Sequence, residues 1–211
     1  MAESNITIDG KLDDWPATEP VVVRDREIFQ GDLERKLSDN TITCRSVWDQ
    51  DYLYLSFEVE DKNLHAYQQE HDHEKLYLDD MVEFLLDPNL DQSSDWLPDD
   101  LVYHINLLGY VKDDRGTLAG KPNTFWNGDA IFEIEVNGTI NQDHDQDHGY
   151  VLEVALPWKE IGLKPQPGTS IGFNFTNGDN DGKGRQLFDW KGAWPMRNPK
   201  QFGTLILEKS E

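Results

Sequence analysis

The sequence predicts an all-β fold, an antiparallel two-sheet β-sandwich of the immunoglobulin-like or jelly-roll type. About ten short segments alternate apolar and polar residues, turn residues separate them at near-regular spacing, and hardly any helical period occurs. A chain of 211 residues can bury a substantial core, and its Gly and Pro residues are spread without a linker. We therefore expect one domain over residues 1–211.

The first elements are short. Residues 6–15, I-T-I-D-G-K-L-D-D-W, predict a short strand, a turn at Asp9 and Gly10, and an acidic segment that ends in Trp15. Val21 to Val23 form a weak strand, and a charged connection without a clear period continues to residue 40. These residues precede the part of the chain on which the fold prediction depends.

The stretch from residue 41 to residue 60 predicts two strands joined by a turn at residues 49–51. In the second strand one face is expected in the core and the other in water, because large apolar side chains occupy alternate positions. The expected core residues are Leu53, Leu55, Phe57 and Val59. The strand over residues 81–87 alternates in the same way, which leaves Glu83 on an outer sheet face.

Two long polar connections flank this strand. Residues 62–76 contain His65, His71 and His73, but no further ligand is spaced to complete a tetrahedral metal site, so a solvated loop is expected. Residues 88–100 form the second connection, and the D-D-R-G run at 113–116 predicts a turn. Between them, residues 101–107 read as a strand.

The last third alternates strands and turns, and residues 158–161 can form one helical turn at most. Across the whole chain, the period of two places several polar residues opposite the large apolar residues of their strands. They would form one polar sheet face if their strands adjoin. These residues are Glu83, His104, Asn106, Glu153 and Asn174.

Charge narrows the classes of partner. The net charge of −22 repels nucleic acid and anionic membrane surfaces, and no segment is apolar for the roughly 18 residues of a membrane span. We therefore expect neither nucleic acid binding nor membrane insertion. Cys44 is the only cysteine, which excludes an intrachain disulfide and a thiolate metal site. It is expected to be a small core residue.

Six blocks carry a resemblance that covers nearly the whole chain, from residue 6 to residue 207. They are I-D-G-K-L-D-D-W, V-W-D-Q-D-Y-L-Y-L-S-F-E-V-E-D, D-D-M-V-E-F-L-L-D, G-Y-V-L-E-V-A-L-P-W-K-E-I-G, G-T-S-I-G-F-N-F-T-N-G-D and P-K-Q-F-G-T-L-I-L. In this order they resemble the family 9 carbohydrate-binding modules. The resemblance implies a pair of antiparallel sheets, related to the sugar- and haem-binding domon group, with a carbohydrate ligand and structural calcium.

The resemblance also implies a site. An aromatic residue ahead of the acidic strand matches Tyr77, the glutamate of D-x-V-E matches Glu83, and a basic residue on the next strand matches His104. The asparagine of G-F-N matches Asn174, and the second aromatic wall aligns with Met196.

The sequence departs from the family pattern in three places. Met196 replaces an aromatic residue, and Trp194 is the expected substitute for it. Tyr77 replaces a tryptophan and His104 a longer base. These departures bear on which sugar is bound and on any preference for chain ends. The residues still meet the chemical requirements of a sugar site, because such a site needs planar hydrogen-bonding groups and an aromatic ring.

Calcium is expected near the end of the 41–60 hairpin. Asp61 ends one strand and Asp80 opens another, and together with backbone carbonyls they can supply the several oxygen ligands that calcium takes. The resemblance implies the same place. Asp179 and Asp181 of the N-G-D-N-D-G loop offer a second set of ligands.

Other functions stay open at this stage. A glycosidase needs two carboxylates that flank one bond, and no motif singles out such a pair among 41 acids, so we expect no enzyme. A haem-binding electron-transfer domain could use Met81, Met196 or His104 as axial ligands. A protein-interaction or adhesion module is the third alternative. The carbohydrate hypothesis implies an extracellular or periplasmic protein, with no signal peptide in this chain and a catalytic domain outside it.

Overall fold

The structure, a computed structural model, describes residues 6–24, 40–181, 185–192 and 195–209. Within these residues the chain forms twelve strands and one short α-helix, α1. The predicted all-β sandwich is confirmed. The elements are β1 (Val21–Val23), β2 (Thr41–Trp48), β3 (Tyr52–Glu60), β4 (Met81–Asp87), β5 (Leu101–Asn106), β6 (Val111–Gly116), β7 (Pro122–Asn123), β8 (Ile131–Asn137), β9 (Gly149–Pro157), α1 (Trp158–Ile161), β10 (Ser170–Asn180), β11 (Arg185–Asp189) and β12 (Gly203–Ile206).

All strand pairs are antiparallel, and they form two sheets. The five-stranded sheet has the order β1-β2-β3-β9-β8, and the seven-stranded sheet has the order β11-β10-β4-β5-β6-β7, with β12 paired to β10. Short 3₁₀ turns at Leu76–Leu78 and Pro199–Gln201 precede β4 and β12. The chain therefore crosses from one sheet to the other several times, and strands that are neighbours in a sheet are often distant in sequence.

The core lies between the two sheets, on the faces that the alternating pattern predicts. Phe57 of β3 contacts Phe84 of β4 and Phe175 of β10, with ring centroids 5.9 and 5.8 Å apart. Tyr103 of β5 stacks on Phe84 at 5.1 Å. All four side chains are buried, and each contributes about 1.5–3 kcal/mol through removal of apolar surface from water. The predicted core face of β3 and the buried Cys44 are confirmed.

The outward face of β3 is wet only toward its ends, where Tyr52 and Glu58 are half-buried and Glu60 is exposed. Tyr54 and Ser56 are buried, because the segment from Asp9 to Trp15 lies across this sheet and donates hydrogen bonds to Glu153. Residues 6–8, predicted as a strand, belong to no strand. The residues that follow them, from Asp9 to Trp15, bond the side chain of Glu153 and do not pair with the edge of a strand.

Two loop predictions also differ from the structure. The D-D-R-G run at 113–116 is the end of β6 and not a turn, because its acids find partners in distant parts of the chain. In the connection 62–76, residues 64–66 are buried, so the loop is solvated only in part. Residues 25–39 of the charged connection lie outside the described residues. Among the described residues, no helix is long and apolar enough to cross a membrane.

Candidate functional site

Three neighbouring strands bring the predicted sugar ligands together on the outward face of the seven-stranded sheet. Cross-strand pairing sets Thr176 opposite Glu83 and Glu83 opposite His104. Asn174 lies two residues before Thr176, so it shares the same face. We call this group of side chains the polar floor; it consists of Thr176, Glu83, His104 and Asn174. The long-range pairing of β10, β4 and β5 builds it.

The centre of the polar floor is a glutamate beside a histidine. His104 Nδ1 lies 3.0 Å from Glu83 Oε2, and their side chains are 9% and 3% exposed. The contact lacks hydrogen-bond geometry, and neither ring nitrogen of His104 has a hydrogen-bond partner among the described residues. A buried carboxylate has acceptor capacity for several donors and is costly to leave unbonded. The pair is therefore suited to hydroxyl groups, which both donate and accept.

The other half of the polar floor is held by Asp189 of β11. Asn174 Nδ2 donates to Asp189 Oδ2 at 2.7 Å, and Thr176 Oγ1 donates to the same oxygen at 3.1 Å. The backbone N–H of Lys191 donates to Asn174 Oδ1 at 3.3 Å. These bonds fix the Asn174 amide in one orientation, with its second N–H still available as a donor.

Tyr77 stands at one end of this face, on the 3₁₀ turn Leu76–Leu78, which packs against β5 and β10. Its side chain is 38% exposed. The turn is fixed by Asp79, whose carboxylate accepts bonds from Asn106 Nδ2 at 2.8 Å and from the backbone N–H groups of Tyr67 and Gln68 at 3.0 and 2.9 Å. Asn106, predicted on the polar face, thus serves to anchor the turn.

The segment predicted to form the second wall of the sugar site lies only in part within the described residues. Met196 is half-buried in the segment that precedes the turn Pro199–Gln201. Trp194, its expected substitute, lies outside the described residues. Arg197 follows Met196 and donates through Nη2 to Asp114 Oδ2 on the same sheet face.

Glu153 does not belong to the polar floor, which corrects the prediction of one polar face. It lies on β9 of the five-stranded sheet, between β3 and β8. Its carboxylate is buried and accepts bonds from the backbone N–H groups of Asp9, Gly10 and Lys11 at 3.0, 2.6 and 3.0 Å and from Trp15 Nε1 at 2.6 Å. It is saturated by its own chain.

A buried acidic cluster joins the two predicted sets of calcium ligands. Carboxylate oxygens of Asp61, Asp179 and Asp181 lie within 4.8 Å of one another. Asp80 lies beside them, but its oxygens accept the backbone N–H groups of His65 and Asn180, both at 2.6 Å. Burial first, and then the charge of Asp61, raises the pKa of Asp80 to about 9. Because hard oxygen ligands in mutual repulsion favour a divalent cation, the three carboxylates fit calcium.

A second acidic group lies in the loop 88–100, where oxygens of Asp87, Asp91 and Asp99 also come within 4.8 Å of one another. Asp87 is buried, and its oxygens accept the backbone N–H groups of Asp91 and Gln92 at 3.1 and 3.0 Å. These bonds shape the loop.

A groove of about 400 Å³ lies on the five-stranded sheet, away from the polar floor. Three glutamates contribute to its lining, Glu58, Glu60 and Glu135. Tyr150, which also lines it, is buried and bonded through its hydroxyl to Asn177 Nδ2 at 3.0 Å. Its ring therefore offers no open face on which a sugar could stack.

Two residues that shape the site, Asp189 and Asp114, are not singled out by the sequence, and the loop 88–100 around Trp96 enters only as an alternative location for the site. Asp114 is fully buried and accepts a bond from Trp96 Nε1 at 3.0 Å. Residues 111–116, V-K-D-D-R-G, do not alternate apolar and polar side chains, and their acids and glycine favour a turn, so no sequence pattern indicates this strand.

Residues 8–210 match the family model described as "Carbohydrate family 9 binding domain-like". Among solved structures, the chain is similar to a family 9 carbohydrate-binding module from Caldicellulosiruptor kristjanssonii in complex with cellotriose, with a TM-score of 0.72 and 22% identity over 98% of this chain and 91% of that chain. A complex of such a module with glucose gives 0.70 and 23%, over 98% and 93% of the two chains. At these identities the likeness shows the fold.

Curated relatives are large enzymes. The chain is 29% identical to endo-1,4-beta-xylanase A of Thermotoga maritima over 96% of its own length and 17% of the relative. It is 30% identical to endo-1,4-beta-xylanase A of Thermotoga neapolitana over the same shares, 96% and 17%. The chain thus spans 17% of the length of these two relatives.

Proposed function

Since this chain belongs to the carbohydrate family 9 binding domain-like family, we propose that it is a non-catalytic module that holds a sugar on the polar floor. The observation that carries the proposal is the Glu83–His104 pair, which is nearly buried on an outward sheet face and has few partners of its own. Asn174 adds a donor, and Tyr77 offers a partly exposed ring at the end of the same face.

The proposed binding mode places the ring of the sugar between two walls. Tyr77 forms one wall, and the segment with Trp194 and Met196 forms the other. Stacking a pyranose on such groups removes apolar C–H surface from water, while Glu83, His104 and Asn174 bond the hydroxyls. Solved relatives are complexes with cellotriose and glucose, so a glucose-based oligosaccharide is the first ligand to test.

Calorimetry with cellotriose tests the site. Tyr77→Ala is expected to weaken binding roughly tenfold, because a stacked wall contributes about 1–3 kcal/mol. Tyr67→Ala is the matched control, since Tyr67 is 55% exposed on the neighbouring loop and is expected to leave affinity unchanged. Trp194→Ala and Met196→Ala, measured separately, identify which residue forms the second wall. Unchanged affinity in the three wall variants, Tyr77→Ala, Trp194→Ala and Met196→Ala, would place the site elsewhere.

We further propose that the module has no hydrolytic activity and no haem. Hydrolysis would need a second free carboxylate next to Glu83, but Asp189 already accepts bonds from Asn174 and Thr176. The purified domain should release no reducing sugar from glucan or xylan and should be colourless. Reducing sugar released by the wild type but not by Glu83→Gln, or a visible haem band, would contradict this.

The same proposal includes a structural calcium ion held by Asp61, Asp179 and Asp181. Saturating calcium is expected to raise the melting temperature by about 5–10 °C over chelator, the shift for a ligand at about a hundred times its Kd. Asp179→Asn should remove the shift, and Asp99→Asn, in the loop 88–100, should keep it. The reverse result would move the cation to the second acidic group, and no shift in wild type would contradict calcium.

We also propose an extracellular or periplasmic setting, because polysaccharides such as cellulose and xylan lie outside cells. Because the relatives are xylanases of which this chain matches a small part, the proposed partner is a catalytic domain beyond this chain. The module would hold that domain on its polysaccharide.

A further inference from the structure

Asp114 is a buried carboxylate that bonds two separate loops. It lies on β6, on the same outward face as the polar floor and opposite Val102. Trp96 Nε1 donates to its Oδ1 at 3.0 Å, and Arg197 Nη2 donates to its Oδ2. A buried carboxylate needs such partners, because transfer of an unpaired charge out of water is strongly unfavourable. One acid therefore fixes residues 18 positions before it and 83 positions after it.

The pairing register places this acid beside the polar floor. His104 and Val102 share one face of β5, and Asp114 is opposite Val102, so Asp114 is a diagonal neighbour of His104. Diagonal neighbours on a sheet are roughly 7–8 Å apart, within reach of long side chains. The guanidinium of Arg197, bonded to Asp114, therefore lies at the edge of the polar floor.

Trp96 is fixed on its other side by packing. It forms a small apolar cluster with Leu85, Val102 and Phe202, and its ring meets Phe202 edge-on at 6.5 Å. Gly116, the last residue of β6, lets the backbone of this loop approach closely, since a Cβ there would lie 1.8 Å from the carbonyl oxygen of Leu97. The indole is therefore a rigid donor that orients the Asp114 carboxylate.

Residues 195–198, in contrast, belong to neither strand nor helix. Arg197 lies in this segment directly after Met196, and its side chain is 34% exposed while that of Asp114 is fully buried. The bond between them ties the segment to the sheet. Displacement of the segment would leave the Asp114 charge buried with one partner fewer.

We propose that Asp114 is a positioning residue for sugar binding, which holds Met196 and its segment against the edge of the polar floor through Arg197. Trp96 sets the orientation of the carboxylate. This inference rests on the proposed function, because it assigns a role in the same sugar site. Asp114 itself touches no ligand in this scheme.

Affinity for cellotriose is measured by calorimetry at a temperature where every variant is folded, as checked by circular dichroism. Arg197→Met is expected to weaken binding about 5–10-fold and Trp96→Phe, which removes the indole N–H together with one ring of the indole, about twofold to threefold. Arg197→Lys should lie between wild type and Arg197→Met. Arg45→Met is the matched control, because it removes an arginine–carboxylate pair with Glu58 on the other sheet and should leave affinity unchanged.

A double-mutant cycle separates positioning from general destabilisation. If Arg197 acts by holding Met196, then Met196→Ala costs much less affinity in the Arg197→Met background than in wild type. Additive losses would overturn the inference. Should Arg197→Met fail to fold, the same cycle is run with Arg197→Lys.

The outcomes keep the two proposals apart. A wild-type chain that binds none of the glucan or xylan oligosaccharides contradicts the proposed function, and the inference with it. A wild-type chain that binds, while Arg197→Met and Trp96→Phe keep its affinity within about twofold, overturns the inference alone.

Discussion

Each sheet carries a glutamate on the outward face of an interior strand, and the two have different surroundings. Glu153 on β9 is fully buried and accepts four hydrogen bonds from the segment Asp9 to Trp15. Glu83 on β4 is also buried, but its contact among the described residues is the ring of His104 at 3.0 Å. The same residue type in the same strand pattern is saturated in one sheet and nearly unbonded in the other.

The difference indicates what each carboxylate is for. An ionised carboxylate accepts several hydrogen bonds, and at Glu153 three backbone N–H groups bond Oε2 and an indole N–H bonds Oε1. Glu153 therefore anchors the N-terminal segment. Glu83 retains acceptor capacity at a place where the fold provides a ring and further polar groups, which suits a ligand. Burial alone would not have separated the two.

The largest effect on stability is expected at Glu153, which anchors the N-terminal segment. Glu153→Ala should lower the free energy of unfolding by about 3–5 kcal/mol, because it leaves several donors without an acceptor. Urea unfolding followed by tryptophan fluorescence measures this loss. Sugar affinity at a temperature where the variant is folded should not change. A stable Glu153→Ala variant would show that the segment is held by other contacts.

Glu83→Gln should show the opposite behaviour. We expect sugar affinity to fall about tenfold or more, or about 1.4 kcal/mol, because a charged acceptor bonds hydroxyls more strongly than a neutral one. The free energy of unfolding should change by less than about 1 kcal/mol, since few bonds to the chain are lost. Glu133→Gln, an exposed acid opposite Glu153, controls for the change in net charge. Equal affinity in both variants would remove Glu83 from the site.

A third change tests how closely the anchored segment fits its sheet. Gly10 has a φ of +82° and a Cβ there would lie 2.8 Å from Cβ of Glu135. Gly10→Ala should cost about 1–2 kcal/mol from backbone strain alone, plus the cost of the contact. Gly168→Ala is the matched control, with a φ of +91° and nothing within 4 Å of a Cβ. If both variants lose the same free energy of unfolding in urea, the segment must shift enough to avoid the contact with Glu135.

Much of this fold follows from the sequence because alternation is local. The period of two correctly assigns the inward residues of β3, β4 and β5 and places Glu83 and His104 each on the outward face of its own strand. The pairing of β4 with β5 brings the two together. The period cannot state which sheet a strand joins, because sheet membership depends on long-range pairing. That is why the alternation alone groups Glu153 with Glu83, although β9 pairs with β3 and β8.

The remaining errors have the same cause. Asp113 and Asp114 favoured a turn by residue type, but their carboxylates bond distant groups, the N–H of Gly128 at 2.7 Å and the side chains of Trp96 and Arg197. Local propensity is overridden when such partners satisfy the acids. The site walls were predicted through family resemblance, since no period identifies the exposed ring of Tyr77.

The smallest effect concerns the hydroxyls beside the two glutamates. Ser56 is opposite Glu153 and Thr176 is opposite Glu83. Ser56 Oγ is buried without a hydrogen-bond partner among the described residues, whereas Thr176 Oγ1 donates to Asp189 at 3.1 Å.

Ser56→Ala should therefore leave the free energy of unfolding unchanged or raise it by up to about 1 kcal/mol, because a buried, unbonded hydroxyl is unfavourable. Thr176→Val, of similar shape, should lower it by about 1–2 kcal/mol, since Asp189 loses a donor in a buried place. Thr176→Ser keeps the hydroxyl and controls for the lost bond. Urea unfolding of Ser56→Ala and Thr176→Val, measured side by side, tests this. If both variants lose the same free energy of unfolding, the Ser56 hydroxyl is hydrogen-bonded in solution, and the hydroxyls on both sheet faces are equally well bonded.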